Sequence, residues 1–240
     1  MVKLTIDGRE VQAEEGAMIL DAARENNIYI PSLCSNEAVT PYGACQLCLV
    51  EVVKNGRERL VVSCLYPVEK GLMVKTSSQR VVASRRLILE LLLARCPDSE
   101  VIRNLARHIG VDGTPFRLED HKKCILCALC TRTCEEVVGV SAISLVNRGV
   151  NREMATPFYE SSDACIGCGS CAYICPTGAI QFEDVGDTRT ITMPNSKMGF
   201  RLKKCKTCGN YWAPEKQLDY IVKKLDLAPE IFDNCPNCRD

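Results

Sequence analysis

The stretch Cys165–Pro176, with the sequence CIGCGSCAYICP, decides the fold of this chain. Its four cysteines follow the spacing C-x2-C-x2-C-x3-C, and a proline follows the last of them. The same spacing occurs 41 residues earlier in the stretch Cys124–Cys134, with the sequence CILCALCTRTC. Short spacings of this kind bring several thiolates to one centre, so the repeat predicts metal clusters rather than scattered core thiols.

The two runs together predict two 4Fe–4S clusters that exchange their fourth ligands. In bacterial proteins with this spacing, the last cysteine of each run binds the cluster of the other run. The expected ligands of the first cluster are Cys124, Cys127, Cys130 and Cys175. The expected ligands of the second cluster are Cys165, Cys168, Cys171 and Cys134. Zinc at the same spacing is the alternative, and the two interleaved sets argue against it because a zinc site closes with four ligands.

Neighbours of these cysteines carry further expectations. Gly167 and Gly169 should let backbone N–H groups approach the sulfurs, which raises the reduction potential of a cluster. Glu135 stands where the second run has Pro176, a departure that leaves the number of ligands unchanged. His121, three residues before the first run, is expected to cap or pack beside that loop rather than to bind a cluster.

A third cysteine group lies nearer the N-terminus and predicts a 2Fe–2S cluster. Its expected ligands are Cys34, Cys45, Cys48 and Cys64. Plant-type ferredoxins hold such a cluster with C-x4-C-x2-C and a distant fourth cysteine, and here the first gap is longer. Gly43 and Ala44 place small residues where the loop must wrap the cluster. The alternative is a set of buried structural cysteines, since free cysteine also behaves as a small hydrophobe.

A fourth group consists of two C-x2-C pairs near the C-terminus. Its expected ligands are Cys205, Cys208, Cys235 and Cys238. Two such pairs separated by a few tens of residues favour a tetrahedral four-thiolate zinc site. A third 4Fe–4S cluster is the competing interpretation, and the pattern identifies the ligands better than the metal.

Composition narrows the class of protein. The 240 residues include 17 cysteines, and 30 basic side chains balance 30 acidic ones, so no net field draws the chain to nucleic acid. The N-terminal residues lack the charged-then-apolar layout of a signal peptide, and no apolar stretch is long enough to span a bilayer. C-x2-C spacing without secretion signals predicts metal binding in the cytoplasm rather than disulfides.

Hydrophobic periodicity predicts an α+β fold with four parts. Asp7-Gly8 joins two alternating strands, a helix is expected over residues 17–26, and a second strand pair flanks Asn55-Gly56, which is the order of a β-grasp domain. Helices are also expected from residue 81 to Pro97, over 100–109 and over 214–227. The predicted ranges are a 2Fe–2S domain at 1–80, a helical connector at 81–115, a two-cluster domain at 116–190 and a four-cysteine module at 195–240.

These features, in this order, resemble the N-terminal iron–sulfur region of the large peripheral subunit of NADH-quinone oxidoreductase. They are also similar to the small diaphorase subunit of NAD-linked hydrogenases and to a subunit of electron-bifurcating hydrogenases and transhydrogenases. The resemblance covers residues 1–185 and rests on the three cluster-type cysteine runs. It implies a subunit that passes electrons between a flavin subunit that reacts with NAD(H) and a downstream catalytic unit or ferredoxin.

Two departures from these relatives matter. Many of them hold an extra cluster with His-x3-Cys-x2-Cys-x5-Cys in the helical segment, where this chain offers Cys96 alone, so that cluster is expected to be missing. The two C-x2-C pairs follow the cluster runs, so no molybdopterin or hydrogenase catalytic domain is expected there. The sequence therefore predicts a non-catalytic electron-transfer subunit of a cytoplasmic hetero-oligomer, without membrane insertion. A free multi-cluster ferredoxin that diffuses between enzymes is the alternative.

Overall fold

The computed structural model describes residues 1–117 and 122–239, and the chain folds as two compact units, Met1–Ala128 and Leu129–Asp240. His121, for which the sequence predicts a capping or packing role, lies outside the described residues. The α+β class is confirmed, because sheets and helices both occur in each unit. The four predicted domain ranges stay predictions.

The first unit is built on a five-stranded mixed sheet. Its strands are β1 (Val2–Ile6), β2 (Arg9–Ala13), β3 (Leu49–Lys54), β4 (Arg57–Val62) and β5 (Met73–Lys75). The strands lie in the order β2-β1-β5-β3-β4, and β1 and β5 are parallel while the other neighbours are antiparallel. This order matches the β-grasp arrangement that the two hairpins predict. The short β5 was missed, because three residues are too few to show a period.

Both predicted hairpins form because their turns supply the required backbone conformation. Asp7 and Gly8 have φ values of 48° and 81°, and Asn55 and Gly56 have 52° and 71°. Two successive residues in this left-handed region match the twist of the flanking strands. The second hairpin matters for the site, because its outgoing strand ends two residues before Cys64.

Among the residues that the structure describes, the first unit also contains α1 (Ile19–Glu25), α2 (Gln79–Arg95) and α3 (Glu100–His108). The apolar face of α1 is fully buried against the sheet. Ser78 caps α2, since its hydroxyl accepts a hydrogen bond from the Val81 N–H at 3.4 Å. These bounds fall within two residues of the predicted helices, and α2 ends before Pro97 as expected.

The second unit begins with the helical turn α4 (Leu129–Arg132), which continues as a π-helix, Thr133–Val138. Its other elements, apart from short 3₁₀ turns, are β6 (Ser144–Val146), β7 (Glu153–Ala155), α5 (Ser170–Tyr173), β8 (Gln181–Val185), β9 (Thr188–Met193), β10 (Ser196–Lys204), β11 (Tyr211–Pro214) and α6 (Glu215–Leu225). The helix predicted over 214–227 is confirmed as α6.

Strands β8 to β11 form an antiparallel sheet that the sequence interpretation missed. The sheet runs across residues 190–195, between two of the predicted modules. Strand β10 alternates clearly, since Met198, Phe200 and Leu202 are buried and the residues between them are exposed. The buried side of β9 and β10 forms a core with the cysteines of the second run. The sheet therefore walls a predicted cluster site.

No helix among the described residues is both long enough and apolar enough to cross a membrane.

Candidate iron–sulfur and metal sites

The four predicted 2Fe–2S ligands come together in the first unit. Cys34, Cys45, Cys48 and Cys64 are exposed by only 1%, 7%, 0% and 2%. The second hairpin returns the fourth cysteine to the loop, because the Ser63 N–H donates to the Cys48 carbonyl at 3.1 Å. Backbone N–H groups also point at sulfur: Leu33 donates to Cys45 Sγ at 3.4 Å, and Cys45 donates to Cys34 Sγ at 3.3 Å. Such donors stabilise thiolate ligands.

Hydrogen bonds between the thiols divide them into two pairs. The Cys34 thiol donates to Cys45 and lowers the pKa of Cys45 to about 6, while the pKa of Cys34 is raised. In the same way the Cys64 thiol lowers the pKa of Cys48 to about 6, and its own pKa is raised. Metal binds the thiolate form. A positively charged iron centre would therefore also deprotonate Cys34 and Cys64, the two thiols whose pKa is raised.

Gly43 shapes the loop around this site. Its φ is 71°, and a Cβ at this position would lie 2.5 Å from Leu65 Cδ1. Since Leu65 directly follows Cys64, a side chain at position 43 would push against the segment that carries the fourth ligand. This contact gives a physical reason for the small residue that the sequence showed before Cys45.

The predicted second cubane has a cavity of its own in the second unit. All four expected ligands line it, together with apolar side chains, and the empty space measures about 340 Å³ when the part open to solvent is included. Those ligands are Cys134, Cys165, Cys168 and Cys171. The crossed ligand Cys134 thus lies with the three cysteines of the other run. The donor set is all thiol and the walls are almost entirely apolar, which fits an iron–sulfur cluster.

Burial disfavours the charged form of three of these thiols, those of Cys134, Cys165 and Cys171. It raises the pKa of Cys171 to about 12, and it also raises the pKa of Cys134 and of Cys165. Backbone N–H groups of Ala142 and Gly167 oppose the rise at Cys134 and at Cys165 respectively. Two buried and two half-buried thiols, without a carboxylate or an amine among the cavity residues, are well suited to a cationic iron core, which makes the thiolate form favourable.

A short repeat follows each cysteine run: Ser141-Ala142-Ile143 after the first and Gly178-Ala179-Ile180 after the second. The N–H group of each alanine donates to the last cysteine of its run. The Ala142 N–H lies 3.2 Å from Cys134 Sγ, and the Ala179 N–H lies 3.2 Å from Cys175 Sγ. Four extra residues separate the first pair, and the π-helix with its left-handed Gly139 takes them up. The alanine N–H of the repeat therefore donates to the last cysteine in both runs.

The two runs also share a left-handed backbone at equivalent positions. Leu126 and Ala128 have φ values of 57° and 62°, and Gly167 and Gly169, 41 positions later, have 71° and 79°. This conformation turns an N–H toward the first cysteine: the Leu126 N–H lies 3.4 Å from Cys124 Sγ. Two different sequences thus share one backbone conformation around the first cysteine of each run.

Packing explains why glycine occupies these positions in the second run. A Cβ at Gly167 would lie 2.5 Å from the Phe200 ring, and a Cβ at Gly169 would lie 3.1 Å from the Phe182 ring. Both rings belong to the sheet β8–β11. The cysteine spacing predicts that these glycines let N–H groups approach the sulfurs, and packing against the sheet is a second reason for glycine at both positions.

The expected ligands of the first cubane divide at residue 128. Cys124 and Cys127 belong to the first unit, and Cys130 and Cys175 belong to the second. The Cys124 carbonyl accepts a hydrogen bond from Arg95 Nε at 2.7 Å, which ties this loop to the end of α2. Its ligand set stays a prediction from the spacing.

The C-terminal cysteines form a compact group of four sulfurs. The Sγ atoms of Cys205, Cys208, Cys235 and Cys238 all lie within 4.8 Å of one another, and those of Cys208 and Cys235 are 3.8 Å apart. The Cys235 N–H lies 3.3 Å from Cys205 Sγ, and the N–H groups of Cys208 and Cys235 lower the pKa of Cys205 to about 6. The four sulfurs are thus already gathered in the arrangement that a single metal ion needs.

Side chains around Asp233 hold the two C-x2-C pairs together. The Lys206 ammonium lies 2.6 Å and the Lys203 ammonium 3.1 Å from the Asp233 carboxylate, and the Lys206 N–H donates to the Asp233 carbonyl at 2.9 Å. These contacts link the first pair to the segment before the second pair.

Two known protein families match the parts of the chain that carry the first three cysteine groups. The family described as the 2Fe–2S iron–sulfur cluster binding domain matches residues 1–79, and the 4Fe–4S dicluster domain matches residues 123–179 and 164–210. The chain therefore contains a 2Fe–2S domain and a 4Fe–4S dicluster domain. The cluster types predicted from the cysteine spacings are confirmed at the level of the domain.

Related proteins confirm the resemblance drawn from the sequence. The chain is 35% identical to the NADP-reducing hydrogenase subunit HndD of Solidesulfovibrio fructosivorans. The match covers 75% of this chain and 36% of the relative. The chain is 30% identical to a subunit of the NADH-quinone oxidoreductase of Rhizobium meliloti, again over 75% of its length, which is 24% of the relative. The chain thus spans about a quarter to a third of the length of these curated relatives.

A solved structure of a hydrogenase is also similar to this chain. A chain of the NAD+-reducing NiFe hydrogenase in its H2-reduced state superposes with a TM-score of 0.64 and 27% sequence identity, over 77% of this chain and 88% of that one. The homologues are thus subunits of NAD(P)-linked hydrogenases and NADH-quinone oxidoreductases.

Proposed function

We propose that this chain is an electron-transfer subunit of a multi-subunit NAD(H)-linked oxidoreductase of the hydrogenase or electron-bifurcating transhydrogenase type. It relays single electrons between a flavin subunit and a downstream catalytic unit or a ferredoxin. It has no substrate-converting site of its own and works in the cytoplasm as part of a hetero-oligomer. The homologous hydrogenase and oxidoreductase subunits support this role.

The observation that carries the proposal is the meeting of Cys134 with Cys165, Cys168 and Cys171 around one apolar cavity. A cysteine from one run beside three from the other is the arrangement that a two-cluster electron carrier requires. Two clusters held in this interlocked way support a path for electrons rather than a site for a substrate.

The proposed ligand sets follow the four cysteine groups. Cys34, Cys45, Cys48 and Cys64 hold the 2Fe–2S cluster, and the two interleaved sets of the repeat hold one 4Fe–4S cluster each. The clusters supply one-electron redox chemistry when bound. The chain buries the thiols, directs N–H groups at sulfur and covers the second cubane with apolar side chains that exclude water.

For the C-terminal site we propose a single tetrahedral ion, zinc, rather than a third 4Fe–4S cluster. Zinc–sulfur bonds of about 2.3 Å at tetrahedral angles place sulfurs about 3.8 Å apart. The Cys208 and Cys235 sulfurs are separated by 3.8 Å, and all four lie within 4.8 Å. A cubane has four irons between the thiolates and would hold them farther apart.

Anaerobic purification tests the relay. The chain should contain iron and acid-labile sulfide and should show one 2Fe–2S and two 4Fe–4S signals by electron paramagnetic resonance on reduction. A preparation with zinc but little iron and no labile sulfide would refute the proposal. Gel filtration of native extract separates a subunit from a free ferredoxin, because a free carrier would elute near 26.6 kDa. Robust NADH oxidation by the isolated chain would contradict the absence of a substrate site.

Metal analysis tests the C-terminal site separately. Cys205→Ser should remove one equivalent of zinc and leave the labile sulfide content unchanged. Cys96→Ser serves as a control, because it changes a buried cysteine that lies outside all four groups. Loss of about four irons and four sulfides from the Cys205→Ser variant would instead identify a third cubane.

A further inference from the structure

Arg85 of α2 is a buried cation next to the 2Fe–2S site. Its side chain belongs to a residue that is 7% exposed, and Nη2 donates to the Leu49 carbonyl at 2.6 Å. Its Nε is buried and has no hydrogen-bond partner within residues 1–117 and 122–239. Leu49 directly follows Cys48, a proposed ligand that is completely buried.

Neighbouring carboxylates do not neutralise this guanidinium. Buried Glu51 of β3 pairs with Arg80, one turn and a half earlier on α2, at 2.7 Å. Asp7 is exposed, and its carboxylate accepts hydrogen bonds from the Thr76 N–H at 2.7 Å and the Thr76 hydroxyl at 2.5 Å. A buried cation without an ion-pair partner is strongly unfavourable unless another negative charge lies near it.

The 2Fe–2S cluster would supply that charge. Two ferric ions, two sulfides and four thiolates leave two net negative charges, and reduction adds a third. Burial lowers the pKa of Arg85, and the Cys48 thiolate is the largest of the charges that oppose this, ahead of Tyr29 and Asp7. Among the described residues, the Cys48 thiolate is therefore the negative charge that stabilises the Arg85 guanidinium most.

We propose that Arg85 sets the reduction potential of the 2Fe–2S cluster by compensating its negative charge, and that it positions the ligand strand through the Leu49 carbonyl. The inference rests on the proposed 2Fe–2S ligands. One electron converts one ferric ion to ferrous iron, and no proton moves at Arg85 because the guanidinium stays charged. A fixed positive charge favours the more negative, reduced cluster, so its loss lowers the potential.

Redox titration of the full chain, followed by electron paramagnetic resonance, tests the inference. In Arg85→Gln the equilibrium constant for reduction of the 2Fe–2S cluster should fall at least tenfold, which corresponds to about 59 mV for one electron. Glutamine removes the charge and keeps an N–H donor for the Leu49 carbonyl. In Arg85→Lys the charge is kept, and the constant should stay within about threefold of the wild-type value.

Arg86 provides a matched control on the same helix. It is exposed, and its Nη2 donates to the Gly110 carbonyl at 3.1 Å. Arg86→Gln makes the same change of charge in water, where screening is strong, so the equilibrium constant should change by less than about twofold. A larger shift for Arg86→Gln than for Arg85→Gln would contradict the inference.

The outcomes separate this inference from the ligand assignment. An Arg85→Gln variant with a normal 2Fe–2S signal and an unmoved or raised potential overturns the inference alone. Equal potentials in Arg85→Lys and Arg85→Gln would also overturn it, because charge would then not be the cause. A wild-type chain without any 2Fe–2S signal would refute the ligand assignment and the inference together. If Arg85→Gln does not retain the cluster, Arg85→Lys must retain it at a near wild-type potential.

Discussion

The two cysteine runs have the same backbone and different side chains at the positions that shape it. The first run places Leu126 and Ala128 in the left-handed region, where a side chain costs about 1–2 kcal/mol, and the second places Gly167 and Gly169 there. The glycines of the second run lie under the aromatic rings of a sheet. The two runs thus share a backbone that turns N–H groups toward sulfur, whereas packing against the neighbouring sheet explains why the second run has glycine.

The largest expected effect tests whether the two runs are interlocked. Cys134→Ser changes the first run but should abolish the signal of the second cubane, with loss of about four irons per chain, because the exchanged thiolate is gone. Cys175→Ser should make the reciprocal change in the first cubane. Iron and sulfide analysis with electron paramagnetic resonance measures both.

Cys96→Ala is the control for these replacements, since it alters a buried cysteine outside the cluster runs. If Cys134→Ser spared the second cubane and removed only the first, the crossed ligation would be wrong.

The next largest effect is expected at Gly167. Gly167→Ala adds a Cβ 2.5 Å from the Phe200 ring at a φ of 71°, so overpacking and backbone strain together should destabilise the second unit by about 2–4 kcal/mol. The urea midpoint for loss of cluster absorbance would measure this. The additional change Phe200→Leu should recover part of the loss, because it removes the clash and leaves the strain.

Gly169→Ala should cost less, about 1–2 kcal/mol, for a structural reason. Its Cβ would lie 3.1 Å from Phe182, which is 44% exposed and can move toward solvent, whereas Phe200 is only 9% exposed. The same urea midpoints compare the two glycine variants. A Gly169→Ala variant less stable than Gly167→Ala would mean that ring packing is not what distinguishes the positions.

The smallest effect is expected in the first run. Leu126→Gly relieves the left-handed strain and adds unfolded-state entropy, and these opposing terms of about 1 kcal/mol each should nearly cancel. The urea midpoint should therefore remain close to that of the wild type. A loss of stability as large as that of Gly167→Ala would show that packing of the Leu126 side chain stabilises the first run.

The sequence predicted the elements whose signals are local. The hairpins at Asp7-Gly8 and Asn55-Gly56 appear at the predicted turns, and α1, α2, α3 and α6 lie where the apolar periodicity placed them. Three of the four predicted cysteine groups lie together within single units, and their assignment as ligands stays a prediction. The hairpins and helices could be predicted because turn residues and apolar periodicity act over a few residues.

The sheet β8–β11 and the burial of Arg85 were not predicted, although the sequence of β10 carries a strand signal. Met198, Phe200 and Leu202 alternate with exposed residues, so β10 could have been identified by its period of two. Arg85 gave no signal, because its burial depends on how α2 packs on β3. The left-handed Leu126 and Ala128 could not be predicted either, since local propensity disfavours that backbone for both residues.

Strand β10 carries Met198 and Phe200, which pack with Cys165 and Cys171, and it ends one residue before Cys205. If the C-terminal cysteines hold zinc, as proposed, a protein made in zinc-starved cells would have a loosened strand beside the proposed second cubane. Oxygen would then reach that cluster sooner, and faster bleaching of its colour in air would report on the zinc content of the growth medium.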